Sequence, residues 1–404
     1  MLISTQDALD TVLRHVKPLK IARLDLADVL VGGFVLARDV RCDRDQPPAD
    51  RSAMDGYAVR AADVARVPAR LELIGEVAAG SKARPRVQRG TCATILTGAN
   101  VPPGADAVVR LEDTGRDDNE IIIRASAQAG LNIRKRAEEA SRGDVLLKQG
   151  QALTPAAVGV CAMVGASVVR TRPMPKVAII CTGAEVREPG QTVAPHQLRD
   201  SNGPALQGAL ASMGIAARRK IVPDDPRKIA TQLRAAARSH DVVIITGGVS
   251  VGHCDFVPEA VRAIGGRVRF HGVRMKPGKP QLFATLGASR CIFGLPGNPV
   301  SVLTGFWSLV APALRRLIGV AQGECCPLVK LPTVKALPCQ PRGGRTVFRL
   351  ARVVQTRAGA AIELVNSAGS ADLIAACRAE GVVLIPANGR DIPAGAVVQF
   401  QPWK

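Results

Sequence analysis

Aromatic side chains are scarce in this 404-residue chain: two tryptophans, one tyrosine and eight phenylalanines amount to 3% of it. Proteins that hold single-stranded nucleic acid stack bases on aromatic rings, and here there is little to stack on. No recognition-helix, zinc-finger or RNP pattern makes up for it, so a specific nucleic-acid partner is not expected. Uninterrupted apolar runs of about 18 residues are also missing, which leaves no candidate helical membrane span. Ten cysteines are present, but none has C-x-x-C spacing, and Cys325 and Cys326 are adjacent. That pattern argues against a zinc clip and against a disulfide scaffold. The five histidines form no cluster in the sequence. The opening Met-Leu-Ile-Ser-Thr-Gln-Asp lacks the basic and apolar regions of a signal peptide. The expectation is a cytoplasmic protein with reduced thiols.

Acidic residues are the other shortage, 34 against 54 lysines and arginines, for a formal net charge of +20. The excess is unevenly spread. Residues 1–172 hold +4, residues 173–322 hold +11 and the last 82 residues hold +5. A field of this kind draws in polyanions, phosphorylated ligands and nucleotides among them. Hydrophobic content of 47% and charged content of 22% are those of a folded protein, and the length suggests two to four domains.

Periodicity separates the regions. Ala8, Leu9, Val12, Leu13 and Val16 mark an opening helix ended by Pro18. Leu24 to Ala37 reads as helix and then extended chain, broken at Gly32-Gly33. Over residues 44–145, short runs such as Leu71–Ile74 and Ile121–Arg124 alternate with turn residues, which predicts a compact, mainly β domain. From Pro175 strands and helices alternate. Lys176–Cys181 and Asp241–Thr246 read as buried strands. Helices are expected from Asn202 to Met213, from Pro226 to Ser239 and, uninterrupted, from Asn298 to Ile318. The alternation predicts a parallel, doubly wound sheet with helices on both faces. Beyond Gly323 a small terminal β domain is expected.

Three loops at strand ends carry the chemistry: Thr246-Gly247-Gly248-Val249-Ser250-Val251-Gly252, Met275-Lys276-Pro277-Gly278-Lys279-Pro280, and Gly294-Leu295-Pro296-Gly297-Asn298-Pro299-Val300-Ser301. Glycines let backbone approach a ligand and offer N–H groups to an oxyanion. Lys276 and Lys279 add charge at a spacing set by Pro277-Gly278. Together the loops describe an anion pocket at the rim of an α/β sheet. Pro296 and Pro299 shape their loop as scaffolding. Asp255 follows three residues after Gly252, near an expected helix start, where a carboxylate either binds Mg²⁺ and orders substrate or simply caps the helix. Ser250 has no catalytic partner at a suggestive spacing, so no nucleophilic triad is expected. The basic triplet Arg134-Lys135-Arg136 reads equally well as an oxyanion holder and as a solvated loop.

With Ser52-Ala53-Met54-Asp55-Gly56-Tyr57-Ala58-Val59 upstream, these motifs resemble the MoeA family of molybdenum insertases, to which the E domains of gephyrin and its plant counterparts belong. The resemblance runs over nearly the whole chain. It implies insertion of molybdate into adenylylated molybdopterin, with release of AMP and active cofactor. It implies a multidomain α/β architecture: a first helix (1–21) folded onto the α/β domain, a linking domain (22–45 and 144–174), an inserted β-rich domain (46–143), a MoaB/MogA-like doubly wound domain (175–322) and a small C-terminal β-barrel domain (323–404). A homodimer is implied too, its active site lying between the doubly wound domain of one subunit and the β domain of the other. Further partners would be the adenylyltransferase that makes the substrate and the apo-molybdoenzymes that take the product.

Carried over by position, Asp55, Glu185 and Asp255 are the catalytic candidates, with Asp255 and Glu185 also the candidate Mg²⁺ ligands. Thr97, Glu139, Asp225, Gly247, Gly248, Ser250, Lys276, Lys279, Pro296 and Pro299 are the candidate substrate-binding residues. Three positions depart from the family pattern. Ala184 stands where a carboxylate is usual. Glu139 stands for an aspartate, with Ala137 for a nearby glycine. Gly272 stands for a lysine, and Arg274 is the residue that would restore its charge. These departures favour an alternative, a non-catalytic molybdopterin-binding paralogue or chaperone that delivers cofactor.

Overall fold

The computed structural model describes residues 2–29, 33–249, 256–338, 344–387 and 390–403. It separates into two compact units: Met1–Arg38 with Gln149–Val158 and Val168–Lys404, and Asp39–Lys148 with Gly159–Ser167.

The larger unit opens with α1 (Thr5–His15), started by a capping box in which the Ser4 hydroxyl and the Asp7 carboxylate each serve the other's backbone N–H. Its buried face, Ala8 and Val12, joins the main core with Phe283, Phe293 and Leu314. That core covers one face of a six-stranded sheet. The strands are β1 (Val177–Thr182), β2 (Ala217–Val222), β3 (Val242–Thr246), β4 (Arg267–His271), β6 (Leu282–Leu286) and β7 (Arg290–Leu295), ordered β2-β1-β3-β7-β6-β4. The short β5 (Met275–Lys276) belongs to another sheet. Strands alternate their side chains between faces, so Ile179 and Ile244 enter the α1-side core while Ile180 and Ile245 enter a second core. The helices α2 (Asn202–Ser212), α3 (Pro226–Ser239) and α4 (Val257–Ala263) cross between strands. The sheet is doubly wound, as the alternation predicts, but not wholly parallel. β6 runs antiparallel to β7, and β4 antiparallel to β6. The link between β6 and β7 is too short for a helical crossover, so the chain turns back as a hairpin.

The expected long helix after Asn298 is α5 (Pro299–Gly305) and α6 (Ala311–Leu317) joined by one turn of π-helix, Phe306–Val310. A π turn leaves carbonyls without their usual partners. Gln401, buried in the terminal domain, donates to the Trp307 carbonyl at 3.1 Å and accepts from the Ser308 hydroxyl at 2.8 Å. The C-terminal sheet comprises β8 (Val329–Pro332), β9 (Thr346–Thr356), β10 (Gly359–Leu364), β11 (Gly381–Ile385) and β12 (Val397–Pro402), in the order β9-β11-β12-β8 with β10 on the other side of β9. The ring closes where Val334 donates to the Ile362 carbonyl at 2.9 Å. β5 adds to this sheet, in parallel with Thr346 and Val347. Ala22–Asp25, expected to start helical at Leu24, pairs as a strand with Val168–Thr171; the helical turn begins only at Leu26.

The smaller unit is built on six strands, ordered Ala107–Arg110, Gly56–Val59, Thr91–Ile95, Ala69–Val77, Glu120–Ile123 and Thr114–Asp117. Its core gathers Val59, Leu71, Val109, Ile121 and Ile123.

Candidate functional site

The loops after β3 and β7 and the turn that begins with β5 wall, within the larger unit, a cavity of about 670 Å³. Gly248 and Val249, Met275 to Pro280, Pro296 to Asn298, Val300 and Ser301 form one wall. The other wall comes from the terminal β domain: Pro338, Arg345, Phe348, Arg349, Leu350, Ser367 and Ser370 among others. No aspartate or glutamate appears among the described lining residues. Lys276 and Lys279 are exposed, and Arg349 is half-buried. Cations, hydroxyls and an apolar backing of Phe348 and Leu350 suit an anionic ligand that carries a flat organic part.

Each wall is held in place from below. Gly278 sits at φ +96°, in the left-handed region, and a Cβ there would meet the buried Gln281 amide nitrogen at 2.8 Å. Only glycine closes this turn without displacing Gln281, and the turn sets the two lysines. Under the Pro296–Gly297 loop, the buried Thr246 hydroxyl donates to the Pro296 carbonyl at 2.8 Å, and the Asn202 amide donates to the Gly297 carbonyl at 2.7 Å and to Thr246 Oγ1 at 3.2 Å. Asn202 stands at the start of α2, fixed there by buried Asp200, which accepts from the Gly203 N–H at 2.9 Å and pairs with Arg219 at 2.8 Å. The Asn298 amide donates to the Ser370 hydroxyl at 2.8 Å, and the Val300 N–H to the Ser370 carbonyl at 3.0 Å, stitching the loop to the terminal domain.

Of the residues singled out from sequence, Gly248, Lys276, Lys279 and Pro296 line this cavity; Gly247, Pro299, Glu185 and Asp225 are not among its lining residues. Ser250 and Asp255 lie outside the described residues. Asp225 is the cap of α3, its carboxylate accepting from the Lys228 N–H at 2.8 Å. Its neighbour Asp224 accepts from the Ala184 N–H at 3.2 Å through Oδ2, while Oδ1 is buried without a hydrogen-bond partner. Glu185, on the same turn, is exposed. Among the described residues no three His, Cys, Asp or Glu side chains gather into a metal-binding group. Arg345, Arg349, Ser367 and Ser370 went unnoticed in the sequence, where the only hint was the positive excess of the last 82 residues. Arg274 does not take the place of a pocket lysine: its Nε donates to the Leu2 carbonyl at 3.1 Å, and it is not among the lining residues.

In the smaller unit, Asp55 and Thr97 come together. Asp55 Oδ1 accepts from the Thr97 N–H at 2.6 Å and from its hydroxyl at 2.7 Å. These two bonds, the backbone one first, hold the Asp55 carboxyl below its usual pKa of 3.8. Met54, Leu96 and Leu111, 43%, 39% and 54% exposed, are next to Asp55, next to Thr97 and hydrogen-bonded to the Asp55 carbonyl respectively. The basic triplet is engaged internally. Arg134 pairs with Glu139, Lys135 with Asp50 at 3.1 Å and Arg136 with Asp45 at 2.6 Å. Glu139 is therefore tied to Arg134. Ala137 has φ +60°, so the glycine usual there is replaced without a change to a right-handed backbone.

Comparison with known proteins gives the same assignment from independent grounds. The family profile described as MoeA N-terminal region (domain I and II) matches residues 3–165, and that of a probable molybdopterin binding domain matches residues 178–316. A molybdopterin molybdenumtransferase of Staphylococcus epidermidis is 31% identical over 404 residues, covering 98% of this chain and 94% of the relative. One from Staphylococcus aureus is 34% identical over 376 residues, covering 91% and 88%. The crystal structure of a molybdopterin biosynthesis MoeA protein from Pyrococcus horikoshii superposes with a TM-score of 0.83 at 28% identity, each chain covered in full. A whole-length match of this kind, on a doubly wound domain with its glycine, lysine and proline loops around one cavity, leaves the assignment plain: the chain belongs to the MoeA family of molybdopterin molybdenumtransferases.

Proposed function

We propose that this protein inserts molybdate into adenylylated molybdopterin, releasing AMP and the molybdenum cofactor, and that the cavity of about 670 Å³ is where it does so. The observation that carries the reading is the lining itself, with Lys276, Lys279, Arg345 and Arg349 present and no described carboxylate. Lys276 and Lys279 neutralise the pyrophosphate bridge. Arg349 and the hydroxyls of Ser301, Ser367 and Ser370 suit a tetrahedral oxyanion, which accepts several hydrogen bonds at once. The apolar wall of Phe348 and Leu350 excludes water and strengthens the charge interactions. The substrate's dithiolene thiols bind the molybdenum as molybdate oxygen leaves as water with the thiol protons, and a water opens the phosphoanhydride, giving AMP and leaving one phosphate on the pterin. The protein's own share is therefore electrostatic and positional.

The family implies Mg²⁺ as a helper. The donors near Ala184 fit it: Asp224 keeps a buried oxygen without a partner, and Glu185 is free to turn toward it. Carboxylate oxygens are the ligands this cation takes. Asp224 and Glu185 would hold it, with Asp255, outside the described residues, a further candidate on sequence grounds; its chemistry there would be to offset phosphoryl charge. Asp55, kept ionised by Thr97, serves in a homodimer as the acidic group offered to the partner's cavity. The exposed Met54, Leu96 and Leu111 around it are what an interface would cover. Gly272 leaves room for Leu2, which a larger side chain there would have to displace.

The test is direct. Purified protein with adenylylated molybdopterin, Mg²⁺ and molybdate should release AMP and reconstitute an apo-molybdoenzyme. Tight binding of the pterin nucleotide with no molybdate-dependent AMP release would make the protein a carrier instead.

A further inference from the structure

The four residues before the Lys276 turn touch three separate supports of the cavity without lining it. His271, the last residue of β4, has its Nε2 2.7 Å from the Val249 carbonyl, and Val249 is in the cavity wall. A carbonyl only accepts, so the ring nitrogen is the donor and the tautomer is fixed. Gly272, at φ +99°, leaves room for Leu2, whose Cδ2 lies 2.5 Å from where a Cβ would stand. Arg274 donates its backbone N–H to the Ile3 carbonyl at 2.7 Å and its Nε to the Leu2 carbonyl at 3.1 Å. The Arg274 carbonyl in turn accepts from the Thr346 N–H at 2.9 Å, and the Thr346 hydroxyl meets that of Thr5 at 3.3 Å. Two residues on is Lys276.

We infer that His271 and Arg274 are positioning residues for the reaction. Together they fix the distance between the Val249 wall and the Lys276–Lys279 turn, and so the fit to a phosphorylated pterin nucleotide. The physical need is clear. Lysine stems are flexible and both ammonium groups are exposed, so only the backbone beneath them can define where the charges stand. Arg274 spans the strand like a tie between Leu2 and the turn, and its own charge is not the point. The inference rests on the cavity being the substrate site.

The test uses four variants of the whole protein. His271→Leu removes the donor, whereas His271→Gln offers an amide N–H from nearly the same place. Arg274→Lys keeps the charge and loses the Nε donor, and Lys276→Ala marks the site itself. His271→Leu and Arg274→Lys should raise the KM for adenylylated molybdopterin about tenfold, with kcat changed less than twofold and His271→Gln close to the parent. If Lys276→Ala raises KM but His271→Leu and Arg274→Lys leave it unchanged, the positioning role is overturned while the cavity keeps its function. If Lys276→Ala also leaves KM unchanged, the cavity reading falls and this inference falls with it. A lowered melting temperature at unchanged KM would make both residues merely structural.

Discussion

Replacing Thr246 by valine tests how the Pro296–Asn298 wall is held. The two side chains have nearly the same shape, and Thr246 is 2% exposed, so no cavity opens. What disappears is one hydroxyl, which donates to the Pro296 carbonyl and accepts from the Asn202 amide. The Pro296 carbonyl loses its donor, whereas the half-buried Asn202 amide keeps its bond to the Gly297 carbonyl. A buried polar group left unsatisfied costs about 1–3 kcal/mol, so Thr246→Val should destabilise the larger unit by about that amount. Thr246→Ser keeps the hydroxyl and loses only a methyl, worth about 1 kcal/mol. Both tryptophans, Trp307 and Trp403, lie in that unit. Urea denaturation followed by tryptophan fluorescence therefore reports the affected part alone. The same variant should raise the KM for the pterin nucleotide, because the loop that lines the cavity loses an anchor. A valine variant within about 0.5 kcal/mol of the parent, with an unaltered KM, would show that the hydroxyl anchors nothing.

Other expectations are more local. Lys276→Ala combined with Lys279→Ala should weaken pterin-nucleotide binding, and by more at low ionic strength, where screening is least; a dissociation constant equal to the parent's in low salt would remove both lysines from the site. If Asp55 serves the partner's cavity, inactive Asp55→Ala protein mixed with the weakly binding double-lysine variant should, at limiting substrate, regain activity after subunit exchange, up to about half per heterodimer; proven exchange without recovery would place both groups in one chain. Thr97→Val should raise the Asp55 pKa toward 3.8 without reaching it, since the backbone N–H remains, so the carboxylate would lose its charge earlier as pH falls; a carbon-NMR titration identical to the parent's would deny the hydroxyl's part. Ala137→Gly should stabilise the smaller unit by about 0.5–1 kcal/mol, relieving a left-handed alanine at some entropic cost, and calorimetry showing a loss would refute the strain.

What could be read from the sequence was local. β-branched runs announced β1 and β3, and Asp225-Pro226 announced α3 at its observed ends. Where a distant partner decides, the reading failed. Leu24-Asp25 has helical company on its C-terminal side, yet pairs with Val168-Val169 some 140 residues away. The reason for Gly272 was hidden too, because nothing in a single sequence says that Leu2 takes the place of its side chain. The lysine and glycine half of the cavity was legible, since turn chemistry is written in adjacent residues. Arg349 and Ser370 were not, because they reach the cavity only through the pairing of β5 with β9 and the Asn298–Ser370 bond.

That two-residue pairing of β5 with β9 also bears on how such a protein can change over evolution. Met275 and Lys276 lie in the sequence between strands of one domain, yet are hydrogen-bonded into the sheet of another. The join between the two sheets therefore cuts through the cavity wall instead of running beside it. A terminal domain grafted from a distant relative would have to bring a matching edge at Thr346–Val347, or the lysine turn would lose its seat. Drift in one sheet has to be answered in the other, so substitutions at Met275–Lys276 and at Thr346–Val347 are coupled.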